Sequence, residues 1–366
     1  MEKEKISKRQ LFSLMVLFEI GSAIVVGLGM KAKQDAWLAI LLGMIGGLAL
    51  FLIYGYLFQC YSNMPLTIYI EKIMGKYIGT IVALGYNFYF IYIAARVLRD
   101  FGELTKTTIL HETPLVAINF LFVLIVGYGC YLGIEVLART GEIFFIIIMI
   151  LGILFTALVF ISGLPKVNNL LPVLENGWGA VLSTTFPLTL SFPFGEMIVF
   201  TMLLPYLNQP KKGIRTGLLA ILFSGLILSW IIAINISVLG VFNAEQAAFP
   251  LYKTIEKISI GDFIQRLDAM GVVMLVVGGF FKCGIFFYAA LIGLADLFKV
   301  KKYQTLIIPC GIILVISSLY IADNYVKHIE IGLEKVPIYL HIPFQIIIPI
   351  ILALITVTKK RFFNLK

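Results

Sequence analysis

Charge is scarce in this chain. Only 13% of its 366 residues are Asp, Glu, Lys or Arg, while 60% are hydrophobic and the mean hydropathy is +0.99. A water-soluble domain carries about 25% charged residues. Too little polar material is present to cover a soluble fold. Cysteine and histidine are scarcer still. Cys60, Cys130, Cys283 and Cys310 are scattered without a CxxC, which argues against a disulfide framework and a metal site. His111, His328 and His341 lie near the ends of apolar runs, and none has a metal-ligand partner at i+4. No metal and no cofactor is expected. Walker A, GxSxG and HExxH patterns are missing, and no loop is long enough for a soluble domain. An enzyme of those classes or an ATP-driven pump is therefore not expected.

What the chain does contain is long apolar runs. They are continuous and about 20 residues long, which suits helices crossing a core of roughly 30 Å. The alternating ten-residue segments of a β-barrel do not occur. The sequence predicts an all-α polytopic membrane protein with ten spans: 10–30, 36–58, 80–104, 114–132, 143–163, 183–204, 214–240, 270–294, 305–321 and 338–358. Short surface helices are expected over 245–268 on the outer side and 66–75 on the inner side. The first span lacks a small-residue cleavage site and reads as an uncleaved helix. With the N-terminal tail inside, inner segments carry 17 Lys and Arg and outer segments 9. That bias puts both termini in the cytoplasm. It also accounts for the net charge of +9 without nucleic acid.

Ten spans divide into five plus five, 10–163 and 183–358, within one transmembrane domain over 1–366. The first span of each half is interrupted. Span 1 reads "LFEIGSAIVVGLG" and span 6 reads "LTLSFPFGEMIVF". Pro193, Gly195 and Glu196 each disfavour a membrane helix, and the carboxylate alone costs roughly 3 kcal/mol. Span 1 starts inside and span 6 outside, so the halves are inverted. Matched interruptions point to a transporter-type site at the midplane. Unwound backbone there frees N–H groups that suit a carboxylate and carbonyls that suit a cation. The expected ligand-binding residues are Gly21, Ser22, Ala23, Phe192, Pro193, Phe194 and Gly195. The glycines let a ligand approach the backbone, and the phenylalanines set the pocket size.

Three charges fall within spans 1, 6 and 8: Glu19, Glu196 and Lys282. Lys282 is expected to pair with one of the two glutamates, at the depth of both breaks. This network is either a structural ion pair or part of a ligand or cation site. In span 3, Arg96 and Asp100 stand at i,i+4, as do Arg99 and Glu103. Two readings stand for Arg96, Arg99 and Asp100: snorkelling to the interface, or an outer gate.

These stretches resemble one family. "SKRQLFSLMVLFEIGSAIVVGLG", "GYNFYFIYIAARVLRDFGEL" and "TFPLTLSFPFGEMIVFTMLLPYLNQPKK", with a basic C-terminal tail, are similar to the endospore germination permeases, the B subunits of nutrient germinant receptors. The likeness runs along the whole chain, and SFPFGE after TFP is its most specific part. The resemblance implies the five-plus-five inverted repeat of the amino acid–polyamine–organocation superfamily, a LeuT-like fold with helices 1 and 6 broken. It implies a germinant sensor in the inner spore membrane that works with A and C subunits. Amino acids, sugars and inorganic ions are ligands in that family, and an amino acid is expected here, bound between helices 1, 3, 6 and 8. A Gly-Ser-Gly break in related transporters is matched by Gly21, Ser22 and Ala23, which departs at the third position. In sodium-coupled relatives a sodium lies between helices 1 and 8, and the Lys282 ammonium is expected in a comparable place. A proton-coupled amino acid transporter and an ion or water channel are the alternative readings.

Overall fold

The computed structural model describes residues 5–259 and 267–363. Its described residues form helices and connecting turns, with no strand. Lipid offers backbone groups no partner, so each crossing must satisfy its own N–H and C=O groups, as a helix does. Eight helical stretches are long and apolar enough to cross a membrane. They supply span 2 (Ala36–Cys60), span 3 (Lys76–Thr108), span 4 (Leu115–Leu132), span 5 (Ile134–Ile161), span 7 (Gly213–Leu239), span 8 (Asp268–Leu297), span 9 (Ile307–Tyr320) and the final span. The two missing from that set are the two interrupted ones.

Span 1 is α-helical from Lys8 to Ala23. Ser7 caps it by accepting from the Gln10 amide, while the Gln10 side chain accepts from the Ser7 amide, so two orphan donors are met. The chain then unwinds over 24–29 into a 3-10 turn, Met30–Asp35, rather than a second half-helix. Gly29 takes a left-handed φ of 78° there, which closes the loop at no Cβ cost. The unwinding therefore begins just after the Gly21–Ala23 triplet. Span 6 runs from Gly177 to Thr184 as α-helix and continues through a π turn, Thr185–Thr189. It breaks at Phe192 and Pro193 and resumes as a 3-10 helix, Phe194–Met202.

Three other boundaries differ from the sequence reading. Span 5 starts at Ile134, nine residues earlier than expected, and Arg139 pairs with Glu135 one turn away. The i,i+4 pair lets a charged turn extend the helix beyond the apolar run. Span 10 begins at Tyr325 rather than 338 and runs to Phe363, with π-helical stretches at Ile331–Lys335 and Pro337–Ile347. The surface segment expected at 245–268 contains the short helix Pro250–Glu256 and the end of another, Val241–Gln246, that begins before it, and its residues 260–266 lie outside the described ones. The short helix expected over 66–75 is present as Leu66–Met74.

Span 8 is the central rod. Its apolar window is 83% buried, against 22% for span 5 at the periphery. It packs chiefly on spans 3 and 1. Next to the cap of span 1, the N-terminal residues dock on the end of span 6. The Ile6 amide donates to the Tyr206 carbonyl at 2.9 Å, and the Asn208 amide donates to the Ile6 carbonyl at 3.0 Å.

Candidate functional site

The break in span 6 and the middle of span 8 meet through an ion pair. Lys282 Nζ lies 2.6 Å from Glu196 Oε2, and both side chains are fully or almost fully buried. The ammonium also sits over two rings, 4.4 Å from the centroid of Phe192 and 5.2 Å from that of Phe18. A desolvated cation gains from such faces. Of the two glutamates open to Lys282 in the sequence, Glu196 is thus the direct partner. Glu19 is buried nearby, and neither of its carboxylate oxygens has a hydrogen-bond partner among the described residues. The neighbouring Ser224 hydroxyl donates to the Ala220 carbonyl instead.

Span 10 adds groups that the sequence reading missed. His341 and Gln345 are buried one turn apart. Gln345 Nε2 donates to Tyr89 Oη at 2.7 Å and to His341 Nδ1 at 3.0 Å, and Tyr89 Oη lies 2.8 Å from the same Nδ1. An amide nitrogen only donates, so with Gln345 in this orientation Nδ1 accepts and the imidazole proton sits on Nε2. Nε2 faces Glu196 Oε1 at 3.9 Å. Starting span 10 at 338 had put His341 at the interface. The true start at Tyr325 buries it four turns deep. The usable signal was the proline pair Pro343 and Pro349 with Gln345 between them and His341 two residues before.

Pro349 explains two more contacts. Pro349 has no N–H, so the Gln345 carbonyl loses its α-helical donor and the Phe344 carbonyl its π-helical one. Tyr54 Oη donates to the Gln345 carbonyl at 2.6 Å, and Tyr86 Oη donates to the Phe344 carbonyl at 2.6 Å. Tyr54 Oη also lies 3.3 Å from the Gly195 carbonyl, which ties spans 2, 6 and 10 together. Tyr54→Phe should destabilise the purified protein by about 1–3 kcal/mol, because it leaves a buried carbonyl unmet. Adding Pro349→Ala restores an N–H, so the double variant should recover part of the loss in denaturation. A double variant no more stable than Tyr54→Phe would discard this account.

Span 3 faces the same region. Arg96 Nη2 donates to the His328 carbonyl at 2.6 Å, and the guanidinium lies across span 10 at Gly332, where a Cβ would stand 2.1 Å from Nη2. Arg96 Nη1 is buried and has no hydrogen-bond partner among the described residues. The Asp100 carboxylate binds His328 Nε2 at 3.0 Å rather than Arg96. The i,i+4 pairing expected of Arg96 and Asp100 thus gives way to a shared contact with His328, because the guanidinium turns to the His328 carbonyl of span 10. Arg99 keeps its pair with Glu103 at 2.8 Å and donates to the Ser318 and Leu319 carbonyls of span 9. Both arginines are buried in protein, at 8% and 6% exposure, so neither snorkels.

A cavity of about 40 Å³ opens among these groups. Ser22 and Val26 of span 1, Arg96 and Asp100 of span 3, Phe192 and Glu196 of span 6, and His341 of span 10 line it. At about 10–15 Å³ per water it has room for about three or four. Of the residues expected to bind ligand, Ser22 and Phe192 line it. Gly21, Ala23, Pro193, Phe194 and Gly195 do not. A Cβ on Gly21 would stand 2.9 Å from the Gly278 carbonyl oxygen, and one on Gly195 would stand 2.1 Å from Gln345 Oε1. Phe194 packs on Gly47 of span 2. These glycines admit neighbouring helices rather than open space. Span 10, not span 8, supplies the fourth wall, and Lys282 stands behind Glu196. No group of three or more His, Cys, Asp or Glu that could hold a metal occurs among the described residues.

Comparison with known proteins fits this geometry. Residues 5–326 match the model of a permease family described as "Spore germination protein". The chain is 42% identical to spore germination protein KB of Bacillus subtilis (strain 168), over 99% of this chain and 97% of that one. It is 27% identical to spore germination protein A2 of the same organism, over 84% and 85% of the two chains. Among solved structures it resembles MhsT in complex with L-phenylalanine, with a TM-score of 0.71 at 14% identity, covering 100% of this chain and 91% of that one. It also resembles Mhp1, a nucleobase-cation-symport-1 family transporter in a closed conformation, with a TM-score of 0.63 over 89% and 75%. Those likenesses show the fold, a LeuT-type membrane bundle. With helices 1 and 6 broken around a buried ion pair, and a relative of this identity along nearly all its length, the chain belongs to the spore germination permease family.

Proposed function

We propose that this chain is the nutrient-sensing B subunit of a germinant receptor, taking a small polar ligand in the cavity between spans 1, 3, 6 and 10. One observation carries the reading: both charge signs meet at a buried cavity whose Arg96 Nη1 has no protein partner among the described residues. A carboxylate is the ligand group that a spare guanidinium N–H suits, and the Asp100 and Glu196 carboxylates suit an ammonium. A free amino acid brings both. MhsT, of the same fold, holds L-phenylalanine. At about 40 Å³ the cavity takes water and no amino acid, so ligand entry requires its lining to part. Receptor A and C subunits would receive that movement in the inner spore membrane, with both termini of this chain in the cytoplasm.

The test is a pair of variants in spores. Ser22→Trp fills the cavity, and Arg96→Gln removes its spare cation. Both should raise the L-amino acid concentration needed for germination at least tenfold while the protein is present in normal amounts. An unchanged response to the amino acid panel in both variants would exclude this cavity as the site. The second reading, a proton-coupled transporter, draws on the transporters of the same fold. Uptake of labelled amino acid into proteoliposomes under a proton gradient would favour it, and binding without uptake favours the sensor.

A further inference from the structure

On the lipid-facing side, far from the central cavity, spans 4 and 9 enclose a groove of about 530 Å³. Its floor is the close contact of the two helices. A Cβ on Gly127 would stand 3.2 Å from Ile307, and one on Gly311 would stand 3.3 Å from Val123. Its walls are two facing stripes at helical spacing, from Phe120 to Tyr131 on span 4 and from Gln304 to Ile316 at and along span 9. At 1.5 Å per residue each stripe is about 17 Å long. One leaflet's hydrocarbon is about 15 Å thick, half of the core. The groove therefore matches one acyl chain of one leaflet. A transmembrane helix of a partner would need a matching face about twice as long.

What lies at the end of the groove selects the lipid. Tyr131 and Gln304 line both the groove and a polar pocket beside it. That pocket presents Lys301, Lys302, Tyr303 and Asp296, and it includes Tyr206, which holds the docked N-terminal residues at that same end of the bundle. Two ammonium groups at the mouth of an acyl-chain groove suit a lipid phosphate, and basic pockets between spans at the cytoplasmic side are where anionic headgroups bind. Asp296 Oδ2 is buried with no hydrogen-bond partner among the described residues. A carboxylate there disfavours a bare phosphate and favours a headgroup that also brings a hydroxyl donor. We infer that the groove between spans 4 and 9, with Lys301 and Lys302 at its mouth, is a binding site for one inner-leaflet anionic phospholipid of the phosphatidylglycerol type.

The full-length protein in phosphatidylcholine nanodiscs tests this with lipids carrying a photoreactive acyl chain. Phosphatidylglycerol so labelled should mark peptides within 115–132 and 303–320 at least fivefold more than the same label on phosphatidylcholine. The Lys301→Gln, Lys302→Gln double variant should fall to the phosphatidylcholine level. Leu124→Trp, which fills the groove on an exposed face, should also lose the label with no change in thermal stability. Equal labelling by the two lipids, or label spread evenly onto the lipid-facing span 5, would overturn the site. Label that is lost whenever partner subunits are bound would overturn it as well, and would assign the groove to a partner helix.

Discussion

Lys282→Met is expected to destabilise the protein by about 3–5 kcal/mol, the usual range for removing one member of a buried ion pair. The pair is 2.6 Å apart with both side chains within 2% of full burial, and the few waters that the adjoining cavity can hold are a poor substitute for the ammonium. Methionine fits the volume, and the loss therefore reports the stranded Glu196 carboxylate rather than a cavity. Pairing the change with Glu196→Gln removes the stranded charge and should recover most of the loss. Pairing it with Glu19→Gln should recover less, because Glu19 makes no direct contact with the ammonium among the described ion pairs. Chemical denaturation in one detergent, together with protein amount in the membrane, gives the ranking. If the Glu196 double variant is no better than Lys282→Met alone, the ion pair is not what holds span 6 to span 8.

The second large effect is expected at Gly21. Leucine there should cost about 3 kcal/mol, the upper end of ordinary overpacking. The reason is that the obstacle is backbone. A Cβ on Gly21 meets the Gly278 carbonyl oxygen at 2.9 Å, and a Cβ on Gly278 meets Gly21 Cα at 2.9 Å. The Lys282 side chain also lies beside a Cβ on Gly21, with its own Cβ at 3.0 Å, and its ion pair with Glu196 keeps it from moving aside. Gly152→Leu on span 5 is the control, since nothing lies within 4 Å of its Cβ, and it should change stability by less than about 0.5 kcal/mol. Gly21→Leu protein of normal stability and amount would show that spans 1 and 8 are not in backbone contact. A raised nutrient requirement in Gly21 variants would reflect this packing, which is why Ser22 is the better position for testing the cavity.

The architecture was legible because its signals are one-dimensional. Run length gives the spans, and Pro193, Gly195 and Glu196 locate the span 6 break to within a residue or two. Even the tie between spans 6 and 8 could be narrowed to two glutamates, since an ammonium at that depth demands a carboxylate. Facing was not legible. Span 2 is apolar on every side, so no periodic stripe tells which face meets span 6. Gly21 and Gly195 read as openings for a ligand, yet a glycine beside another helix and a glycine beside a cavity are the same letter. His341 and Gln345 were hidden by a boundary error: charged and polar residues at 327–335 looked like a loop, but they are the first turns of span 10. Arg96 was placed correctly on span 3 but its partners lie 232 residues away, beyond any local spacing rule.

Gly278 and Lys282 are four residues apart on one face of span 8. One of them is pressed against the end of helical span 1, and the other is bonded just past the break in span 6. The two grips are therefore about 6 Å apart on a single stiff rod. A rotation of that rod about its own axis swings both grips the same way at once, so the two interrupted segments share one degree of freedom. Strain put in at either break has to appear at the other, and for that reason substitutions at Gly21 and Glu196 should not behave as independent events.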